Sequence, residues 1–426
     1  MNEKLLQYIW KYQYFNHCGL TTVAQDSLEI LFPGLINHDQ GPDFLSSKIT
    51  LNGQVWAGNV EIHVKSSEWK LHGHDNDENY NNVILHVVWI NEDSIEQGIP
   101  VLELQPLVPV HLLATYEGWM KKGKFIPCEH EISGMDKTMM QSWLHWLTGK
   151  RLREKSALYL EKVRACGMNW EEAFWQAIAR NFGHRVNADA FARIAASVPV
   201  NIMIRHSNNI VQLEALLMGQ AGLIRTDNAD EYPKMLYREF SFLRKKYGLT
   251  KFQEPVHFLR MRPVNFPTVR LAQLAALFYQ NGNLFARVCA LKNLPGIREI
   301  FRVSANDYWH YHYRFGESSP FRVKITGDQM IDNILINTVI PMLHAFDHQR
   351  GQDDQLDLLQ GWLYQLAAEK NSSISSFANL GVEARHAADT QALLECKRVY
   401  CDAFRCMECG IGKYLLRKGA SYGQLK

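Results

Sequence analysis

The sequence predicts an α/β domain at the N-terminus, a mostly α-helical region after it, and a short cysteine-rich end. Three observations carry that prediction. Between residues 28 and 105, short runs either alternate apolar with polar residues or are apolar throughout, the patterns of half-buried and fully buried strands. From about residue 134 the apolar residues recur at helical spacing instead. Four of the eight cysteines crowd into "CKRVYCDAFRCMEC". The boundaries implied are 1–133, 134–390 and 391–426.

The opening "MNEKLLQYIWKYQYF" reads as an amphipathic helix with Leu5, Ile9, Tyr12 and Phe15 on one stripe. Its scattered charges argue against a secretory signal. "SLEILFPG" is a short strand stopped by Pro33-Gly34. "DFLSSKITL" and "VWAGNVEIHV" flank "NGQ", a hairpin turning at Asn52-Gly53. The polar "HGHDNDENYNN" holds a loop or a short helix. "VILHVVWI" is a strand buried on both faces, and "VLELQ" a further strand. Beyond residue 134, "MQSWLHWLTGKRLREKSALYLEKVRACG", "WEEAFWQAIARNFG", "ADAFARIAASV", "IVQLEALLMGQAGL", "YPKMLYREFSFLRKKYG" and "TVRLAQLAALFYQ" are helices. "KNSSISS" reads as a polar loop.

Composition narrows the function classes little. Of 426 residues, 46% are hydrophobic and 21% charged, as in a folded soluble protein. Lys+Arg exceed Asp+Glu by 46 − 44 = 2, which neither demands nor excludes a nucleic-acid partner. No apolar run reaches the length of a membrane span, so the expectation is a cytoplasmic protein with no membrane partner. The oligomeric state is left open.

The chemistry concentrates in "GNVEIHVKSSEW". Val60, Ile62 and Val64 alternate with Glu61, His63 and Lys65, so a strand here sets three titratable groups on one face. Asp43 stands at the entrance of the preceding strand, 61 − 43 = 18 positions earlier. In a tight hairpin the two carboxylates meet and can share Mg²⁺ or Mn²⁺, with His63 or Lys65 positioning or deprotonating water. His72, His74 and His86 form a possible second, transition-metal site. Cys396, Cys401, Cys406 and Cys409 read C-x4-C-x4-C-x2-C, a spacing that can close around zinc or an iron–sulfur cluster, with Cys18 or Cys128 able to replace Cys396. Arg260, Arg262 and Arg270 surround two prolines before a helix and are candidate phosphate contacts.

Pro42-Asp43, Glu61 and the order helix, three strands, connection, strand resemble the PD-(D/E)xK nuclease superfamily. The resemblance implies a restriction-endonuclease-like mixed sheet, with Asp43 and Glu61 as metal ligands. It departs at the lysine position, which holds His63, with Lys65 two residues on. One early cysteine, Cys18, with Cys401, Cys406 and Cys409 resembles the arrangement in iron–sulfur-stapled nucleases. More widely, "GPDF", "GNVEIHVKSSEW", "H-x-H-x-x-D" with "YNNVILHVVW", "RPVNFPTVRLAQLA" and "RCMECGIG" together resemble the bacterial domain-of-unknown-function 2851 family. The expected function is therefore metal-dependent cleavage of DNA or RNA. The alternatives are an inactive nuclease-like module that binds nucleic acid or protein, and a zinc-dependent hydrolase using the histidines.

Overall fold

Strand pairing is organised around the turn at Asn52-Gly53, where both residues take positive φ, a geometry that glycine tolerates best. The computed structural model describes residues 1–37, 39–92, 98–224, 230–250, 255–259, 261–291, 293–352 and 355–423. The chain divides into two units, residues 1–143 with 371–383 and 393–426, and residues 144–370 with 384–392. Residues 393–426 thus fall in the unit that holds the sheet.

That first unit opens with α1 (Glu3–Tyr12), capped by the Asn2 side chain, which accepts from the Leu5 N–H at 2.8 Å. The helix buries Leu5, Leu6, Ile9 and Trp10. It ends one residue past Tyr12, because Gln13 turns left-handed and its N–H closes on the Ile9 and Trp10 carbonyls. The predicted stripe is therefore shorter than expected. Tyr12 is exposed, and Phe15 is buried from beyond the helix.

The strands are β1 (Leu28–Phe32), β2 (Leu35–Ile36), β3 (Phe44–Leu51), β4 (Gln54–Lys65), β5 (Val83–Ile90) and β6 (Val101–Glu103). They form one mixed sheet in the order β1-β3-β4-β5-β6, with β2 also paired to β3. β1, β3 and β4 run antiparallel, and β5 and β6 continue parallel to β4. Between β4 and β5 lies α2 (Glu68–Leu71), followed by two single 3₁₀ turns over His74–Asn76 and Glu78–Tyr80. The polar stretch after β4 thus resolves into short helical turns, the last of them capped by the Asp77 side chain, which accepts from the Asn79 N–H at 3.0 Å. Val60, Ile62, Leu85 and Val87 are wholly buried. Each such aliphatic side chain contributes about 1.5–3 kcal/mol relative to exposure. Gly58 lets β5 begin against β4, since a Cβ there would lie 2.4 Å from Ile84 Cγ2 and 2.5 Å from the Asn82 carbonyl. α3 (Val110–Trp119) follows and packs against the last helix of the chain, Gly410–Gly423. "KNSSISS" is not a loop: Ser372–Asn379 is a helix, because the Asn371 side chain caps it by accepting from the Ile374 N–H.

The second unit is helical. It is built from the part of α4 (Lys137–Ala165) that follows Trp143, then α5 (Trp170–Phe182), α6 (His184–Ser197), α7 (Val200–Arg205), α8 (Ile210–Gln220), α9 (Glu231–Tyr247) and α10 (Pro267–Asn281), with shorter helices after them. Phe174, Trp175, Phe182, Phe278 and Trp309 fill its core. Among the described residues no helix is long and apolar enough to cross a membrane.

Candidate metal centre

β3 and β4 bring the two carboxyl groups together. Phe44 pairs with Val60, so Asp43 lies beside Glu61 one step further along the ladder. The contact is reciprocal. The Asp43 N–H donates to Glu61 Oε2 at 3.0 Å, and the Ile62 N–H donates to Asp43 Oδ2 at 3.2 Å. From α1, Gln7 Nε2 donates to Asp43 Oδ1 at 2.8 Å. Nothing in the sequence pattern singles out Gln7; it reaches the site only because α1 packs on β4.

The other Glu61 oxygen, Oε1, faces imidazoles. It lies 3.5 Å from His63 Nε2 and 3.5 Å from His74 Nε2. His63 Nε2 is in turn 3.2 Å from His72 Nδ1. Gly73, at φ 74°, makes the turn that brings His72 and His74 to the same place. Potential ligand atoms of His63, His72 and His74 all lie within 4.8 Å of one another, the one such group of three among the described residues. His72 is exposed, so the cluster opens to solvent on that side.

The fourth histidine stands behind these. β4 and β5 pair Glu61 with His86, and His86 Nε2 meets His63 Nδ1 at 2.9 Å. That contact leaves His63 Nε2 turned toward Glu61 and His72. His86 is therefore placed to orient a ligand, as the partners of metal-bound histidines commonly do. Trp69 is buried beneath the rings, and its Nε1 donates to Asp75 Oδ1 at 2.9 Å. Tyr80 stacks on His74 with ring centres 3.8 Å apart.

The electrostatics follow from burial. Glu61 is pushed up to about 8 by desolvation and then by the neighbouring Asp43. Asp43 is pushed up to about 6 by desolvation and then by Glu3. Desolvation, then His86, pulls His63 down to about 3. Desolvation, then His74, pulls His86 down to about 4. His74 is lowered by desolvation and then by His72. Without a cation, His63 and His86 are neutral imidazoles and the Glu61 carboxyl keeps its proton at neutral pH. A divalent ion reverses the preference, since it needs ionised carboxylates and unprotonated ring nitrogens. The residues fit such an ion: nitrogens and an oxygen converge from a strand and the turns after it. Three imidazoles with a carboxylate suit Mn, Zn or another first-row metal better than Mg²⁺, which prefers oxygen.

The remaining expected residues fall elsewhere. Lys65 is half-exposed at the end of β4, and its Nζ pairs with Glu92 Oε1 at 2.6 Å. Glu68 Oε2 fixes that strand end by accepting from the Val64 and Lys65 N–H groups at 2.9 and 3.0 Å. Among the described residues no Lys or Arg ion pair reaches Asp43 or Glu61. Arg270 is buried in α10 of the second unit, where it donates to Gln273 Oε1 at 2.8 Å and to Asn265 Oδ1. Arg262 is exposed, and Arg260 lies outside the described residues. Cys396, Cys401, Cys406, Cys409 and Cys128 are buried, whereas Cys18 is exposed.

A family model described as "Protein of unknown function (DUF2851)" matches residues 3–372. No curated protein and no solved structure matches the chain.

Proposed function

The chain belongs to the DUF2851 family, and we propose that it is a metal-dependent phosphodiesterase acting on DNA or RNA, its ion held by Glu61, His63, His72 and His74 with Asp43 beside them. One observation carries the reading: a single carboxylate oxygen of Glu61 lies 3.5 Å from two imidazole nitrogens, while its other oxygen is locked to the strand that bears Asp43. The mixed sheet, with an acid at the start of one strand and another on its antiparallel neighbour, supports the finer comparison with restriction-endonuclease-like folds.

A bound divalent ion supplies a water of lowered pKa and offsets charge on a phosphoryl oxygen. The protein's own groups do the rest. Asp43 and Glu61 supply the negative charge that retains a cation, and Gln7 and the Ile62 N–H keep Asp43 from turning away. His86 holds the His63 ring in one orientation. The exposed edge at His72 gives a phosphate access. Purified chain loaded with Mn²⁺ or Zn²⁺ is expected to cleave fluorescent single- or double-stranded DNA or RNA and to stop in EDTA. A chain that takes up the ion but cleaves no phosphodiester would end the hydrolase reading. A second reading is then favoured by Lys65, which is occupied by Glu92: a nuclease-like module that binds without cutting. Nucleic-acid affinity that persists in EDTA and falls steeply with salt identifies it.

A further inference from the structure

Leu343, Phe346, Asp347 and Arg350 recur at helical spacing along the helix Ile340–Gln349 and its C-cap, so they share one face. That face borders a cavity of about 530 Å³ inside the second unit. Sites for small ligands run from about 300 to 1,000 Å³. Val288 of the helix Leu284–Ala290 and Leu359 and Trp362 of the helix Leu356–Gln365 complete the apolar wall. Gly351, at φ 70°, ends the first of these helices. The Arg350 and Gln352 N–H groups then close on the Asp347 carbonyl at 3.0 and 2.9 Å, which fixes the backbone that carries both charges.

Opposite charges three residues apart on a helix ordinarily pair. These two do not. Among the described residues neither the Asp347 carboxylate nor the Arg350 guanidinium makes a side-chain hydrogen bond or an ion pair. Arg350 lies over the Phe346 ring instead, its guanidinium carbon 5.2 Å from the ring centre. Phe346 is itself held edge-on by Trp170 and Phe285, with ring centres 5.1 and 5.4 Å away. Asp347 is half-buried, and desolvation raises its carboxyl although Arg350 works the other way. A carboxylate in that position lacks a cationic donor. Trp362 adds a third open group. It is only 5% exposed, yet among the described residues its indole N–H has no partner. The buried Trp175 and Trp309 of the same unit both donate theirs, as buried indoles usually do.

We propose that this cavity binds a small zwitterion of the α-amino acid class, with its ammonium on Asp347, its carboxylate on Arg350 and its apolar side chain against Leu343, Leu359 and Trp362. Such a ligand joins two charges that do not reach each other and leaves the cavity neutral. A plain amine or a plain carboxylate would satisfy one of them only. Arg350 is exposed and Asp347 half-buried, so the carboxylate lies toward the mouth and the ammonium deeper. The first turn of the helix Leu356–Gln365 has no side-chain cap at Gln355, and Gln355 lines the cavity, which favours the carboxylate at that end. None of these residues belongs to the metal centre.

The test is calorimetric titration of the full-length chain in EDTA, which keeps amino-acid chelation at the histidine cluster out of the signal. The probes are L-phenylalanine, L-leucine, 2-phenylethylamine, which lacks the carboxylate, and 3-phenylpropionate, which lacks the ammonium. L-Phenylalanine is expected to bind at least about tenfold more tightly than either analogue. Asp347→Asn should weaken L-phenylalanine and 2-phenylethylamine by a similar factor and leave 3-phenylpropionate unchanged. Arg350→Gln should weaken L-phenylalanine and 3-phenylpropionate and leave 2-phenylethylamine unchanged. A variant that loses its fold loses every probe alike, and the wild-type series then decides alone. Wild-type chain that binds neither L-phenylalanine nor L-leucine at millimolar concentration overturns the proposal. So does equal affinity for L-phenylalanine and its two analogues, or a folded Asp347→Asn chain that binds L-phenylalanine as wild type does. None of these readouts depends on phosphodiester cleavage.

Discussion

Glu61 and Glu214 are both buried carboxyls, one on a strand of the first unit and one on a helix of the second. Burial pushes both up, Glu61 to about 8 and Glu214 to about 7. Their company differs. Glu61 faces two imidazole nitrogens and a second carboxyl, all on backbone held by strand pairing. Glu214 meets only neutral donors, Tyr232 Oη at 2.7 Å and Trp309 Nε1 at 2.9 Å, both on one oxygen. A buried acid surrounded by donors that never give up a proton is a core hydrogen-bond acceptor. A buried acid among neutral imidazoles is a donor set that a cation can recruit. The size of the shift does not separate the two; the neighbours do.

The sharpest break between them is metal binding. Glu61→Ala should weaken Mn²⁺ or Zn²⁺ binding by more than the roughly 10–100-fold that loss of a supporting residue costs, read by calorimetric titration. Glu214→Ala, if folded, should leave the titration unchanged. Equal affinity in wild type and Glu61→Ala would remove the distinction.

The second effect lies in stability. Glu214 has a folded pKa raised from 4.5 to about 7, so between those values the folded chain keeps a proton that the unfolded chain has lost. This group therefore costs nothing at or below pH 4.5 and opposes folding increasingly as the pH rises through 7. Glu214→Gln removes that cost. Urea unfolding should show the variant gaining up to roughly 3 kcal/mol on wild type between pH 4.5 and pH 8. A difference independent of pH would mean that Glu214 is already ionised in the fold.

The smallest effect belongs to Lys65, whose ammonium rests on Glu92 in solvent. Lys65→Ala should leave phosphodiester cleavage unchanged, because His63 rather than Lys65 stands beside Glu61. A tenfold fall in turnover would return Lys65 to the catalytic set and would narrow the contrast to Glu61 and its strand.

Much of the frame was legible in residues. Alternation in "VWAGNVEIHV", the Asn52-Gly53 turn and the continuous apolar run of "VILHVVWI" each dictate local geometry, and the hairpin makes the 18-residue spacing of Asp43 and Glu61 a short distance in space. The capping of "KNSSISS" was also present, in Asn371, but a serine-rich stretch reads as a loop until that cap is weighed. The histidines were visible as residue types and read as a possible second site near Glu61, beside the Asp43–Glu61 pair expected to hold Mg²⁺ or Mn²⁺. Only Gly73's turn and the parallel pairing of β4 with β5 merge the two sets.

The sequence by itself determined the periodicities, and so the helices, the hairpin and the row Glu61, His63, Lys65, since these depend on neighbours a few residues apart. Tertiary structure decided which members of that row face inward, that Gln7 holds Asp43, and that Cys128 rather than Cys18 lies with the C-terminal thiols. Those choices join residues dozens to hundreds of positions apart. No local pattern encodes such distances; they are fixed by which apolar faces the whole fold must bury.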